Sequence, residues 1–419
     1  MHIRLKRACT AIGQYGANIS AGAYVPEGVR FLRTTDINED GSLRDEEDSV
    51  CITESDAKGY ILEPGDLLFS RSGSLGRSYL HREGAPGSHA FAGYLVRFRP
   101  SPHVHPPYLF YASRGASFQA QISADAIQTT ISNFNGEKYG NLEIWLPSLE
   151  TQRTIANFLD RKTAALDALI QKNERLIAAL TERRSALIHR AVTNGLNPDV
   201  RMKDSGILWI GNIPAHWEMH QLRRVVREFV DYRGRTPDKS SSGVPLITAG
   251  AVRDGKIDHS RAPEWVSEET YELLSQRGGP EAGDLLFTSE APLGEVGLVV
   301  DPRIACAQRI ILFRLNRHRM SPEYLRLHFL AETGKGEMRS RASGSTAEGI
   351  RADRLKMSLV PTPPIGEQND ICAYVEAKTE GVNAVSGQAQ VQLDRLHEYR
   401  QALITAAVTG QLDIGELSP

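Results

Sequence analysis

The side chains best suited to chemistry in this 419-residue chain are arginines beside glycine- and serine-rich turns. Arg71 and Arg77 lie in a Ser-Arg-Ser-Gly-Ser-Leu-Gly-Arg run, and Arg233 and Arg235 flank Gly234. Small residues let backbone N–H groups approach phosphates, while arginine neutralises phosphates or reads guanine edges. The alternative is a solvated charged surface. The candidate DNA-binding residues are Arg71, Ser72, Ser74, Arg77, Arg233, Arg235, Thr236 and Ser289.

Catalytic signatures are missing from the sequence. It has no phosphate-binding Gly-x4-Gly-Lys-Ser/Thr loop, no His-Glu-x-x-His and no Gly-x-Ser-x-Gly. The run His105-Pro106-Pro107-Tyr108 is similar to an amino-methyltransferase motif, but histidine is unusual at its first position. We interpret it as proline opening a short helix. His103 and His105 have no evident third ligand, so we predict no catalytic residue and no metal site.

Composition indicates an ordinary globular chain. Hydrophobic residues make up 41% and charged residues 24%, and no uncharged apolar run is long enough to span a membrane. Four widely spaced cysteines exclude a dense disulfide framework and favour a cytoplasmic protein. The net charge of −2 does not indicate nucleic-acid binding, so any basic surface must arise from how the fold sorts its charges.

The sequence contains a long internal repeat. Gly65-Asp66-Leu67-Leu68-Phe69 recurs as Gly283-Asp284-Leu285-Leu286-Phe287. At a nearly constant spacing, Gln152 and Ile155 also recur as Gln368 and Ile371, and Ala191-Val192-Thr193 recurs as Ala407-Val408-Thr409. The spacing is too long for a solenoid repeat. It indicates duplication of a whole domain together with the segment that follows it.

The segment after each domain predicts a long helix. Residues 151–194 contain neither glycine nor proline, and apolar residues recur there in heptads. The stretch 147–198 has 8 basic and 5 acidic residues, whereas 364–419 has 3 basic and 8 acidic, so opposite charge favours pairing of the two helices. The alternative is a separate amphipathic helix on each domain. The predicted pairing seam consists of Ile155, Leu159, Leu166, Leu169, Leu176, Leu180, Leu187, Ile371, Val375, Val382, Val385, Leu396, Tyr399 and Leu403.

The expected fold is α+β, with two similar mixed α/β domains separated by a long antiparallel two-helix coiled coil and related by a pseudo-two-fold repeat. Short β-rich runs among glycine- and proline-rich turns indicate the globular parts. The predicted boundaries are a first globular domain at 1–146, a first long helix at 147–196, a linker at 197–211, a second globular domain at 212–362, a second long helix at 363–414 and a tail at 415–419.

Four runs resemble the DNA-specificity subunits of type I restriction–modification systems, and they occur in that family's order. They are LPSLETQRTIA at 146–156, KDSGILWIGNIPAHW at 203–217, GDLLFTSEAPLG at 283–294 and PPIGEQ at 363–368. With the duplication, the resemblance spans nearly the whole chain. One departure is that the first half lacks the Ser-Gly-x-x-Trp-x-Gly opening that stands at 205–211 in the second.

The resemblance implies a non-catalytic reader and scaffold. Each domain would be a target recognition domain reading one half of a bipartite, asymmetric site in double-stranded DNA. The helices would set the gap between half-sites and dock two modification (methyltransferase) subunits, and restriction (ATP-dependent translocase and nuclease) subunits would join them. This chain itself would hold no cofactor, because S-adenosylmethionine, ATP and Mg²⁺ belong to those partners, and no membrane is involved.

Two other functions remain open at this stage. A coiled-coil adaptor could join proteins without touching DNA. A self-contained DNA methyltransferase or nuclease would need a cofactor motif that the sequence does not contain.

The spacer interpretation predicts the effect of lengthening a helix. Inserting seven residues in register within 151–194 adds two helical turns, or about 10 Å, without changing either recognition domain. We expect methylome sequencing to show a longer gap between unchanged half-sequences. An unchanged gap would contradict the spacer role.

Overall fold

The computed structural model describes residues 1–44, 49–85, 87–127, 133–234, 236–343 and 349–412. The chain divides into two compact units: Met1–Glu174 with Val391–Pro419, and Arg175–Gln390. The second unit is therefore inserted in the sequence of the first. Among the described residues, no helix is long and apolar enough to cross a membrane.

The first unit begins at the amino terminus and contains most of its strands before the first long helix. Its described strands are β1 (His2–Arg4), β2 (Cys9–Tyr15), β3 (Val29–Leu32), β4 (Cys51–Ile52), β5 (Leu67–Ser70), β6 (Ser78–Leu80), β7 (His89–Phe91), β8 (Leu95–Pro100) and β9 (Glu143–Trp145). Its helices are α1 (Glu54–Ala57), α2 (Pro106–Arg114), α3 (Ala116–Ile127), α4 (Gly136–Asn141) and the start of α5 (Leu149–Asn194).

The second unit continues from the end of α5. Its described strands are β10 (Met202–Asp204), β11 (Asn212–Pro214), β12 (Glu218–Gln221), β13 (Val226–Asp231), β14 (Val244–Ile247), β15 (Val252–Arg253), β16 (Lys256–Ile257), β17 (Trp265–Val266), β18 (Leu285–Thr288), β19 (Val296–Leu298), β20 (Ala305–Cys306), β21 (Ile310–Leu315) and β22 (Leu359–Thr362). Its helices are α6 (Leu222–Val225), α7 (Glu268–Ser275), α8 (Pro322–Leu330), α9 (Glu332–Arg341), α10 (Ala352–Lys356) and the start of α11 (Ile365–Val408).

The two units share one sheet topology, which confirms the predicted α+β duplication. The four-stranded antiparallel sheet has the order β2-β8-β5-β6 in the first unit and β13-β21-β18-β19 in the second. The three-stranded sheets, β4-β3-β7 and β17-β14-β20, each combine one antiparallel and one parallel pair. Strands β1 and β9 pair in the first unit as β12 and β22 do in the second.

The repeated Gly-Asp-Leu-Leu-Phe run builds the same corner in both units. Gly65 has a φ of 94° and Gly283 a φ of 86°, a left-handed conformation that glycine adopts without steric cost. The next residue, Asp66, is fully buried and accepts the Glu63 backbone N–H at 2.9 Å and the Arg99 Nε at 2.7 Å. In the second unit Asp284 accepts the Glu281 N–H at 2.9 Å and the Arg314 guanidinium at 2.9 Å. Each buried carboxylate thus joins a turn to the neighbouring strand of the main sheet.

A buried glutamine fixes each long helix to its own domain. The Gln152 side chain accepts the His105 backbone N–H at 2.8 Å and donates to the Pro147 carbonyl at 3.0 Å. Gln368 repeats this arrangement with the Ser321 N–H at 2.8 Å and the Pro363 carbonyl at 2.9 Å. His105 therefore precedes a proline-opened helix, α2, as the sequence indicated.

Parts of both long helices pack together inside each unit. In the first unit Leu403, Ile404, Ala407 and Val408 of α11 share a core with Ile155, Leu159 and Leu166 of α5. In the second unit Ile188, Ala191 and Val192 of α5 share a core with Ile371 and Val375 of α11. The Arg400 Nε donates to Asp167 Oδ1 at 2.7 Å in the first unit. Helix pairing is therefore part of each unit's own core.

The pairing register differs from the predicted seam along one line of each helix. Four predicted members, Leu169, Leu176, Val385 and Tyr399, are exposed by 43–58%. The buried or half-buried positions are each one residue later: Ile170, Ile177, Ser386 and Arg400. Neighbouring residues point about 100° apart on a helix, so only one of each pair can face the other helix. Of the remaining predicted seam residues, Ile155, Leu159, Leu166, Ile371, Val375 and Leu403 are buried and Leu180, Leu187, Val382 and Leu396 are half-buried.

This register predicts that alanine substitution lowers stability by unequal amounts at two adjacent positions. Ile170 is 7% exposed, so Ile170→Ala should lower the free energy of unfolding by about 2–4 kcal/mol through lost burial and a cavity. Leu169 is 45% exposed, so Leu169→Ala should cost less than about 1 kcal/mol. Chemical denaturation of both variants tests this, and a larger loss at Leu169 would restore the sequence-predicted seam.

Candidate nucleic-acid interface

Three segments of the first unit meet at one end of its main sheet. The Arg71 backbone N–H donates to the Tyr94 carbonyl at 2.9 Å, and the Phe134 N–H donates to the Arg71 carbonyl at 2.8 Å. We call this meeting point the first junction. The Arg71 guanidinium lies over the Tyr15 ring, 4.9 Å from its centroid, and its Nε is 3.3 Å from Asn133 Oδ1. The side chain of Arg71 is therefore fixed by Tyr15 and Asn133. Two aromatic side chains of this junction are exposed, because Tyr94 is 65% exposed and Tyr15 is 41% exposed.

The second unit repeats this backbone arrangement with different side chains. The Ser289 N–H donates to the Arg309 carbonyl at 2.8 Å, and the Ile350 N–H donates to the Ser289 carbonyl at 2.9 Å. This is the second junction. Arg309 occupies the place of Tyr94, and its Nε lies 3.1 Å from Glu290 Oε1. The two junctions therefore share a frame but present different chemistry to solvent.

Arg309 has a backbone conformation that arginine rarely adopts. Its φ is 101°, in the region that favours glycine. Its side chain is about half exposed, so burial does not compensate for the strain. Non-glycine residues in such conformations cluster at ligand-binding sites, where the surrounding structure enforces them. The strain makes Arg309 a candidate binding residue of the second junction.

The predicted site residues of the first unit divide between the junction and the interior. Arg71 lies at the first junction, and the neighbouring Ser72 and Ser74 are half-buried and exposed, respectively. Arg77 instead points towards the loop before β4, where its guanidinium donates to the Ile37 carbonyl at 3.0 Å and lies 3.5 Å from Glu39 Oε1. Arg77 is thus engaged within the protein.

In the second unit the predicted residues also separate. The Arg233 Nε donates to both oxygens of Asp231 at 2.9 Å, and this hydrogen bond raises the pKa of Arg233. Thr236 is exposed, and Arg235 lies outside the described residues. Ser289 is 2% exposed and its hydroxyl donates to the Arg309 carbonyl at 3.2 Å, so its side chain supports the second junction and is not available for direct contact. Its predicted part in DNA binding is therefore support for the loop after β18, and that role stays a prediction.

The sequence analysis missed Tyr94 and Arg309. Both directly precede strands β8 and β21, and they were treated as part of the β-rich runs. A signal was available, because each is the residue before a strand that aligns between the two halves. Three further arginines of the second unit lie at the other end of β13 from Arg233 and do not form one patch with it: Arg223, Arg224 and Arg227.

Metal chemistry has no evident site in the described parts of the chain. No group of three or more His, Cys, Asp or Glu residues there is arranged to hold a metal ion. His328 is completely buried, and burial lowers its pKa to about 3, so it stays neutral. The contacts described above for the two junctions include no nucleophile paired with a base.

Comparison with known proteins gives consistent matches. Residues 25–179 match the family described as the type I restriction modification DNA specificity domain. The specificity subunit of the type I restriction enzyme EcoKI from Escherichia coli K12 is 23% identical over 365 residues, covering 84% of this chain and 75% of that protein. The EcoBI specificity subunit from Escherichia coli is 22% identical over 367 residues, covering 85% and 75%, respectively.

A similar fold occurs in a solved structure. A chain from a study of complex assembly and conformational transition of a type I restriction–modification system aligns with a TM-score of 0.61. The alignment covers 98% of both chains at 18% sequence identity. This likeness supports the fold, independently of the sequence matches.

The strain at Arg309 predicts an unusual mutational response. Arg309→Gly should leave the free energy of unfolding unchanged or raise it by up to about 1 kcal/mol, because glycine relieves the left-handed φ. The matched variant Tyr94→Gly, where φ is not positive, should lower it by about 1 kcal/mol. Denaturant unfolding of both variants measures the difference, and equal destabilisation would show that Arg309 is not strained.

Proposed function

We propose that this chain, which resembles the DNA specificity subunits of type I restriction–modification systems, reads a bipartite DNA site, one half-site at each junction. The chain is not itself an enzyme, since the relatives that match it are specificity subunits. The observation that carries the proposal is the duplicated junction, in which one backbone frame presents exposed side chains that differ between the two units.

The difference between the junctions supports an asymmetric site. Two identical readers related by a two-fold axis recognise a palindrome, as dimeric repressors do. Here Tyr94 and Arg71 face solvent at the first junction, whereas Arg309 and Glu290 do so at the second. Unlike side chains in equivalent positions select unlike bases, so the two half-sequences differ.

The side chains suit recognition through base edges. An arginine that reaches guanine O6 and N7 through two hydrogen bonds is the commonest specific contact in the major groove. Arg309 can supply it, with Glu290 orienting the guanidinium at 3.1 Å. The Arg71 guanidinium is oriented by the Tyr15 ring, Asn133 Oδ1 and the Gly93 carbonyl, and Tyr94 adds an exposed aromatic side chain to the same junction. Arg71 and Arg309 are therefore the proposed principal readers.

The proposed partners follow from the resemblance to type I specificity subunits. The chain would join two modification subunits that methylate adenine with S-adenosylmethionine, and restriction subunits that use ATP and Mg²⁺. A net charge of −2 makes strong DNA binding by the chain alone unfavourable, so the modification subunits would contribute much of the phosphate contact. Because the proposed substrate is DNA, we expect this assembly in the cytoplasm.

A pair of variants tests the assignment of one reader to each half-site. Arg71→Ala should relax the sequence requirement in one half only, and Arg309→Gly should relax it in the other, each lowering affinity by about 1–3 kcal/mol. Methylome sequencing in a host that expresses the chain with its modification partner measures both effects. Arg227→Ala, at the far end of β13, is the matched control.

Two results would contradict the proposal. Unchanged methylation patterns in both variants would remove the junctions from the reading surface. Relaxation of the same half by both variants would contradict one half-site per unit.

A further inference from the structure

A cationic cavity of about 400 Å³ lies within the second unit, between its two long-helix segments and the β15–β16 hairpin. Helix α5 contributes Arg184, and helix α11 contributes Asn383. The hairpin and the turn after it contribute the remaining cations. The charged lining residues are Arg184, Arg253, Lys256 and Arg261, with Asp254 and Asp258 as the carboxylates.

At the equivalent position in the first unit, the arginine of the long helix is paired with a carboxylate. Arg400 is the repeat equivalent of Arg184, and its guanidinium lies 2.7 Å from Asp167. The equivalent of Asp167 in the second unit is Asn383, which has no charge. The hairpin residue Arg253 corresponds to Glu39, which lies 3.5 Å from Arg77. The Arg400–Asp167 ion pair of the first unit therefore has no charged equivalent in the second, where Asn383 faces Arg184.

The cations of this cavity have little internal compensation. The Arg184 Nε is buried and has no hydrogen-bond partner among the described residues. Among the described residues, Arg253 and Lys256 form no ion pair, whereas the Arg261 Nε lies 3.5 Å from Asp258 Oδ2. A buried guanidinium N–H without an acceptor is costly, so an acceptor supplied by a ligand would be stabilising.

The cavity lies near the loop that follows the second junction. A neighbouring cavity shares Thr181, Arg184 and Asp254 with it and is also lined by Leu293 and Gly294, in the loop that follows Ser289 and Glu290. An anion bound here would therefore lie beside DNA that contacts Arg309. A free nucleotide would need a base-binding surface in addition, and the shared lining is predominantly charged and polar.

We propose that this cavity binds a phosphodiester group of the DNA backbone next to the half-site read by the second junction. The inference rests on the proposed function and extends it, because it assigns a sequence-independent anchor to one unit only. Arg184 donates from the helix and Arg253 and Lys256 donate from the hairpin, so the phosphate is held from two sides. The first unit lacks this anchor because Asp167 and Glu39 occupy the equivalent places.

The test replaces second-unit residues with their first-unit equivalents. Asn383→Asp gives Arg184 the carboxylate that Arg400 has, and Arg253→Glu with Lys256→Ser copies Glu39 and Ser42 into the hairpin. Asn369→Asp adds the same charge at an exposed position on α11 outside the cavity lining and serves as the control. Thermal unfolding verifies that each variant folds, and Asn383→Asp should not lower stability because it forms an ion pair.

The measurement is the salt dependence of duplex binding by the complex assembled with modification subunits. Loss of one phosphate contact should reduce the slope of log K against log salt by about 0.9, with the methylated sequence unchanged. Both cavity variants should show this reduction, and Asn369→Asp should not. If the wild-type complex binds no DNA, the proposed function fails. If it binds and the slopes are equal, only this inference fails.

Two further outcomes would also overturn the inference. In the first, inorganic phosphate at constant ionic strength stabilises the wild type against heating, and the slope of log K against log salt is equal in all variants. That result assigns the cavity to a free anion. In the second, the cavity variants lose the modification subunits on purification while the slope of log K against log salt is unchanged. That result assigns the cavity to an acidic surface of a partner protein.

Discussion

Each unit depends on one buried carboxylate, Asp66 in the first and Asp284 in the second. A buried charge is costly unless it is paired, and removing one member of such a pair leaves the other uncompensated. Each carboxylate joins a turn to an arginine of the next strand, so the central strand begins at a defined place. Four residues later the same strands, β5 and β18, end at the junctions. The exposed residues can therefore differ between the units while the frame beneath them stays the same.

Much of the fold could be predicted because it is determined by local or repeated patterns. The absence of glycine and proline predicts α5 to within two residues, and Gly195, with a φ of 70°, follows its last residue. The duplication emerges from exact matches such as the Gly-Asp-Leu-Leu-Phe run. The pairing register could not be predicted at Leu169 and Ile170, because both are apolar and the choice between them depends on tertiary contacts. Arg400 shows the same limit, since its burial depends on an ion pair with a residue 233 positions away.

The candidate site was only partly predictable for a related reason. Arginine beside small residues drew attention to the loop after β5, but it did not distinguish Arg71, which lies over the Tyr15 ring, from Arg77, which is held by the Ile37 carbonyl. Ser289 looked equivalent to the accessible serines of the first loop, yet it is buried. Tyr94 and Arg309 gain significance only through the hydrogen bonds that bring their segments to the loop. Overall charge was similarly uninformative, because the two units distribute their cations and carboxylates differently.

The insertion of the second unit within the first has a consequence for the order of folding. The core of the first unit includes Leu403, Ile404, Ala407 and Val408, near the end of the sequence, together with Ile155 and Leu159. During synthesis from the amino terminus, residues 175–390 are complete before those four residues exist. Domains generally fold as units during translation, so the inserted unit can fold first. Until the last four residues are made, the apolar face around Ile155 stays exposed to chaperones and proteases. The unit made first is thus the last to be finished.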